Sequence, residues 1–190
     1  MRDRLIRDSE IGQEKYHGQA VNWVTTINYG YLLATLCWTR FMKHLVSDYI
    51  AARLAICTYK YPRARKIVFA HSYGSYALAR ALLTQRENFM VNDIVLLGSV
   101  VERHFPWNNI IEEGYVKNVF CYLGGREWVQ FFAYYLAGMG RSGKYGFHEV
   151  AQGRVRNIIR KNWRHNEFLK GYVDFKNIIL GRYDRIPSSD

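Results

Sequence analysis

The chain has 190 residues, enough for one domain with a sizeable core. Hydrophobic residues make up 49% of it and aromatics 16%, against only three prolines, a composition that excludes an intrinsically disordered chain. The net charge of +11 leaves anionic partners open, while Cys37, Cys57 and Cys121, odd in number and widely spaced, exclude a disulfide framework and read as reduced core thiols of a cytoplasmic protein. No Cys or His pair stands at metal-ligand spacing, so neither a metal nor another cofactor is expected.

Residues 1–18 are polar and charged and lack the apolar core of a signal peptide, so they are expected to be peripheral to the fold. No Asp, Glu, Lys or Arg occurs between Lys15 and Arg40, a stretch long enough to span a bilayer. Its many polar residues instead divide it into a strand, Val21 to Ile27, and the start of a helix after Asn28-Tyr29-Gly30. Leu36, Trp38, Phe41, Leu45, Tyr49 and Leu54 recur at helical spacing, and Pro62 bars continuation of that helix. A strand over 66–70 leads to Ser72, and a helix runs from about 73 to Glu87. Ile94 to Leu97 is the next strand, followed by an irregular stretch through Pro106 and a strand from Val116 to Leu123. With no repeat or linker, residues 1–190 form one domain. Strands alternating with helices predict an α/β fold, a mostly parallel sheet with helices on both faces.

Ser72 stands where an apolar strand passes abruptly into a helix. A serine on such a turn holds its hydroxyl clear of the sheet, and the next backbone N–H, that of Tyr73, points at any oxyanion formed beside it. Ala70 and Gly74 are small, as a close approach of strand and helix would require. The plainer alternative is a strand-to-helix turn with an incidental serine. In parallel sheets reactive groups gather at the carboxyl ends of the strands. That rule selects Glu127, just beyond the strand ending at Leu123, and His165, at the entrance to a short helix. Glu127 could equally be an exposed loop acid. Glu167 and Asp174 lie too near His165 in the chain, and Asp93 precedes its strand. Among the other histidines, His17, His44, His148 and above all His104 compete for the role of base, whereas His71 would point to the opposite side of the turn. Between Arg141 and Arg164 seven basic residues face only Glu149, and a solvated face is the ordinary reading of such a run.

With these residues in place, the chain resembles a poorly characterised bacterial family of α/β-hydrolase-like proteins, from Asn28 to about Gly181. The likeness rests on Asn28-Tyr29-Gly30-Tyr31, Ala70-His71-Ser72-Tyr73-Gly74-Ser75, Leu97-Gly98-Ser99 with the following segment to Trp107, and Gly143-Lys144-Tyr145-Gly146-Phe147. The resemblance implies Ser72 as nucleophile, Glu127 (where the family usually has Asp) as acid and His165 as base. It also puts Gly98-Ser99 and the stretch from Arg103 to Trp107 near the pocket. The family's leading strands and oxyanion loop are not matched, so the chain reads as a hydrolase shortened at its N-terminus.

The expected function is that of a serine hydrolase acting on a carboxylic ester or related acyl compound. The alternatives are a catalytically weak or inactive hydrolase-like protein, truncated or serving as an interaction module, and a phosphate- or membrane-surface-binding protein using the basic stretch. The expected partner is a small-molecule ester, with self-association through an exposed sheet edge. Nucleic acid and anionic lipid are not the expected partners.

Overall fold

The computed structural model describes residues 32–125, 139–148, 153–164, 167 and 172–189, with side chains from 44 onward except at 172 and 173. Four strands form one parallel sheet in sequential order: β1 (Ile67–His71), β2 (Val91–Leu97), β3 (Val116–Gly124) and β4 (Val155–Arg160). The helices are α1 (Leu32–Lys60), α2 (Tyr73–Gln85), α3 (Trp107–Glu112), α4 (Ser142–Tyr145) and α5 (Tyr172–Ile179). The α/β class expected from the alternation of elements is therefore present. The strand expected over 21–27, and residues 1–18, lie outside the described residues.

Side chains of a strand alternate between faces, and helices cover both faces here. Ala70, Ile94, Leu96, Val119, Cys121 and Val155 pack with Ala51 of α1, Leu78 and Leu82 of α2, and Trp107 and Ile110 of α3. Their neighbours in sequence, Val95, Leu97, Phe120, Tyr122 and Ile158, pack instead with Phe175 and Ile178 of α5. α1 stops at Lys60, two residues before Pro62, as the ring's effect on the preceding backbone requires. In α2, alanines at 77, 79 and 81 supply helix propensity and a low profile where the helix is buried. Among the described residues no helix is long and apolar enough to cross a membrane.

Two strands differ from expectation. β2 begins at Val91, three residues early, because Asp93 is taken into the strand with its carboxylate fully satisfied. It accepts from Arg65 Nε at 2.8 Å and Nη2 at 2.5 Å, Asn118 Nδ2 at 2.8 Å and the Tyr183 hydroxyl at 2.7 Å. Burial, then the hydrogen bond to Asp93 and its charge, push the Tyr183 phenol up to about 12. β4 lies inside the stretch read as a basic face. Arg156 sits over the Phe120 and Tyr183 rings, and Arg160 over Tyr122 and Trp163. Arg160 is buried and pairs with Asp174 at 2.5 Å. Two of the run's arginines thus belong to an aromatic-lined sheet face, and Asp174 is the partner of one of them.

Asp93 is wholly buried while Arg65 is 34% exposed, so loss of the carboxylate takes the acceptor from four part-buried donors on Arg65, Asn118 and Tyr183 but leaves the guanidinium partly hydrated. Asp93→Ala is expected to cost about 3 kcal/mol, the low end for breaking a buried pair, read as a lowered urea midpoint at unchanged m-value.

Candidate active site

The register aligns the carboxyl ends of the strands: His71 opposite Leu97, Leu97 opposite Tyr122, and Gly124 opposite Arg160. Ser72 continues β1 by one residue, its N–H donating to Leu97 O at 3.0 Å, and then opens α2. Its backbone has φ 51° and ψ −122°, and among the described residues it is the one non-glycine residue with positive φ. An L-residue held there costs about 1–3 kcal/mol, so surrounding bonds must fix it. Ser72 is partly exposed, and no hydrogen bond engages its Oγ among the described residues.

Tyr73 is the first residue of α2, so its N–H has no acceptor one turn earlier in the helix and stands next to the Ser72 side chain. The Tyr73 ring stacks on Tyr76 with centroids 6.0 Å apart. Its hydroxyl is buried and has no hydrogen-bond partner among the described residues, and burial, with Tyr76 second, raises the phenol above its ordinary range.

A cluster of serines lies behind the turn. Ser75, with no exposure, donates its hydroxyl to Ser72 O at 2.6 Å, alongside the Ser75 N–H at 3.0 Å. Ser75 Oγ in turn accepts the Val100 N–H at 3.1 Å. Ser99 Oγ accepts from the Val101 N–H at 3.3 Å and from the Ser142 hydroxyl at 2.8 Å, and both of those side chains are buried. The segment after β2 enters this cluster through Gly98, at φ 54°. Ser75 and Ser142 were not singled out by sequence reasoning; the available signal at Ser75 was a hydroxyl on the alanine- and leucine-rich face of a helix. The close approach expected at Gly74 is absent, since a Cβ there would meet nothing within 4 Å. Among the described residues the tight approaches to backbone are at Gly140, where a Cβ would strike Val101 O, and at Gly125, where it would strike Lys161 O.

Glu127 and His165 lie outside the described residues; the chain leading to each does not. Gly125, two residues before Glu127, donates to Arg160 O at 3.1 Å. Trp163 stacks on Tyr122 at 6.0 Å and donates its N–H to Arg160 O, and the Arg164 N–H is held by Glu167 Oε2 at 2.7 Å. Both segments therefore leave the sheet at the end where Ser72 stands. With strands about 4.8 Å apart, β3 and β4 lie roughly 10 and 15 Å from β1. His104, the rival base, stacks face to face on His148, with centroids 4.3 Å apart and planes 9° apart, both rings exposed. Trp107 is core, packed on Phe105 and Phe147. A groove of about 500 Å³ lined by Ile111, Glu112, Lys117 and Arg154 lies at the opposite, amino end of β3. Among the described residues no group of three or more His, Cys, Asp or Glu could hold a metal. No family model, curated protein or solved structure matches the chain.

Glycine tolerates the backbone of Ser72 but loses about 0.5–1 kcal/mol through chain entropy. Ser72→Gly is accordingly expected to raise stability by about 1 kcal/mol, the 1–3 kcal/mol of relieved strain less that entropy cost, measured by urea unfolding. At the histidine pair, desolvation, then Arg103 and His104, hold the His148 ring below its ordinary range. The folded state then binds fewer protons than the unfolded chain, so this contribution is full above the ordinary histidine value and is lost as pH falls from there through the lowered value of the folded state. Between about pH 7 and pH 5.5, either side of that value, the urea midpoint is expected to fall less in His148→Asn than in the native chain.

Proposed function

We propose that the protein is an α/β-hydrolase-like serine hydrolase acting on a carboxylic ester or related acyl substrate. The observation that carries this reading is the left-handed backbone of Ser72 at the junction of β1 and α2. Nothing in the packing of an ordinary strand-to-helix turn calls for that strain. It does have a chemical use, because it lifts Oγ off the sheet and leaves the N–H of Tyr73 beside it. A second support is the order of strand ends, with the segments bearing Glu127 and His165 following β3 and β4.

In the proposed reaction, His165 takes the Ser72 hydroxyl proton as Oγ attacks the acyl carbon, and Glu127 orients the imidazole and stabilises its charged form. The carbonyl electron pair moves onto oxygen, where the Tyr73 N–H donates to it. The tetrahedral adduct collapses to an acyl-serine, and the departing alkoxide leaves as the alcohol with the proton from His165. Water, deprotonated by the same histidine, attacks the acyl-serine and releases the acid, and the proton returns to Ser72. Removing one oxyanion donor from such a site lowers turnover by about 10²–10³-fold.

A fluorophosphonate probe is expected to label the native chain and to leave Ser72→Ala unlabelled, with p-nitrophenyl butyrate hydrolysis lost in parallel. Glu127→Gln should slow turnover by up to about 10⁴-fold, through the wrong imidazole tautomer. Labelling that persists in Ser72→Ala overturns the assignment. So does a native chain that the probe leaves untouched while it labels a control esterase.

A further inference from the structure

We propose that Ser75 is a positioning residue for the nucleophile, its buried hydroxyl clamping the left-handed backbone of Ser72 to the segment that follows β2. The inference rests on the reading of Ser72 as nucleophile. It names the group that keeps Ser72 in its reactive conformation.

A strained residue persists only where its neighbours over-determine it. The Ser72 N–H is tied to β2 through Leu97 O, which fixes one side of the residue. On the other side the Ser72 carbonyl takes two donors from one residue, the N–H and the hydroxyl of Ser75, and the hydroxyl bond is the shorter at 2.6 Å. The first of these is what any helix start offers. The second exists only because position 75 carries a hydroxyl.

That hydroxyl is also an acceptor. By taking the Val100 N–H at 3.1 Å, Ser75 joins the turn at the end of β1 to the segment at the end of β2. The anchor is itself tied down. Val100 O accepts the Gly140 N–H at 2.8 Å, Val101 O accepts the Ser142 N–H at 3.2 Å, and Ser99 O accepts the Gly143 N–H at 2.8 Å. The strain at Ser72 is thus braced against the end of β2 and the segment that follows it, and through that segment against residues 140–143.

Local preferences run against a serine at this position. In a buried helical turn followed by Ala77, Leu78 and Ala79, alanine would serve helix propensity and packing better. A side chain that bonds back along its own helix competes with the backbone ladder. A local rule broken where every bond is nonetheless satisfied marks a site under another demand. Here the demand is the direction of Ser72 Oγ and of the adjoining Tyr73 peptide. If the Ser72 carbonyl lost its second donor, the residue could relax toward an ordinary φ, swinging both groups away from a bound acyl carbon.

The test compares Ser75→Ala with the native chain, using p-nitrophenyl butyrate kinetics and the rate of fluorophosphonate labelling on protein shown to be folded by its unfolding curve. A displacement of the order of 1 Å costs about 10²-fold, so kcat and the labelling rate are expected to fall about 10–100-fold with KM little changed. Ser75→Thr, which keeps the hydroxyl, should recover most of the loss, and its isostere Ser75→Val should not. If Ser75→Ala does not fold, Ser75→Cys, close in volume but a weak donor, carries the same comparison. Hydrogen exchange on the native chain needs no variant, and the Val100 amide should be among the slow ones. Native labelling and kcat in folded Ser75→Ala, with only the unfolding midpoint lowered, overturn the clamp and leave the nucleophile standing. An unprotected Val100 amide also overturns it. Labelling that survives Ser72→Ala overturns the hydrolase reading itself.

Discussion

A carboxylate without contact to water organises the amino end of the sheet. Asp93 lies in β2 and collects Arg65, which enters β1, Asn118 from β3 and Tyr183 from the segment after α5. The same guanidinium continues past Asp93 to the carbonyls of Ile178 and Ile179 at 2.7 Å each, ending α5 with a positive charge where its last carbonyls have no helical partner. One acid thus joins elements from positions 65 to 183 of the chain. An unpaired carboxylate would be far too costly to bury, so these four groups must meet together or not at all. The packing of α5 on the Val95–Phe120–Ile158 face follows from that meeting.

The two ends of the sheet use polar groups in opposite ways. At the amino end donors from Arg65, Asn118 and Tyr183 converge on one carboxylate, giving a charged and fully satisfied lock. Directly behind Ser72 at the carboxyl end, the buried polar groups among the described residues are neutral hydroxyls and backbone amides: Ser75, Ser99 and Ser142, together with the N–H groups of Val100 and Val101, while the charged Arg160–Asp174 pair stands at the end of β4. Neutral groups can brace a strained turn without placing a fixed charge beside it. An activated hydroxyl and a developing oxyanion are both sensitive to such a charge. The division of labour fits the role proposed for Ser72 at one end, with the mechanical tie at the other.

The arginines of β4 show how a net charge of +11 is partly folded into the structure. Arg156 and Arg160 occupy the same face as Ile158, where flat guanidinium groups lie over Phe120, Tyr122, Trp163 and Tyr183. Weakly hydrated and planar, arginine can enter such a face where lysine would resist. Arg160 goes further and is buried against Asp174, beside Tyr122, whose phenol is raised by burial above its ordinary range.

What the sequence by itself determined were the features carried by local chemistry. The buried pattern of Ile94 to Leu97, the stop imposed by Pro62 and the small-residue break around Ser72 are each a matter of neighbours in the chain, and each stands in the fold. The turn at Ser72 was legible because a strand, a serine and a helix follow one another directly. Only the tertiary structure decided β4, because Arg156 and Arg160 hide its alternation until the aromatic rings that receive them are brought across from β3 and the chain's end. It likewise placed Asp93 inside β2, through partners 28 residues before it and 90 after, and found no neighbour crowding Gly74. Ser75 belongs with these. A serine in a helix carries no sign of its purpose until Val100, 25 residues on, arrives to donate to it, and the bond that matters is one that the chain can make only after the sheet has formed.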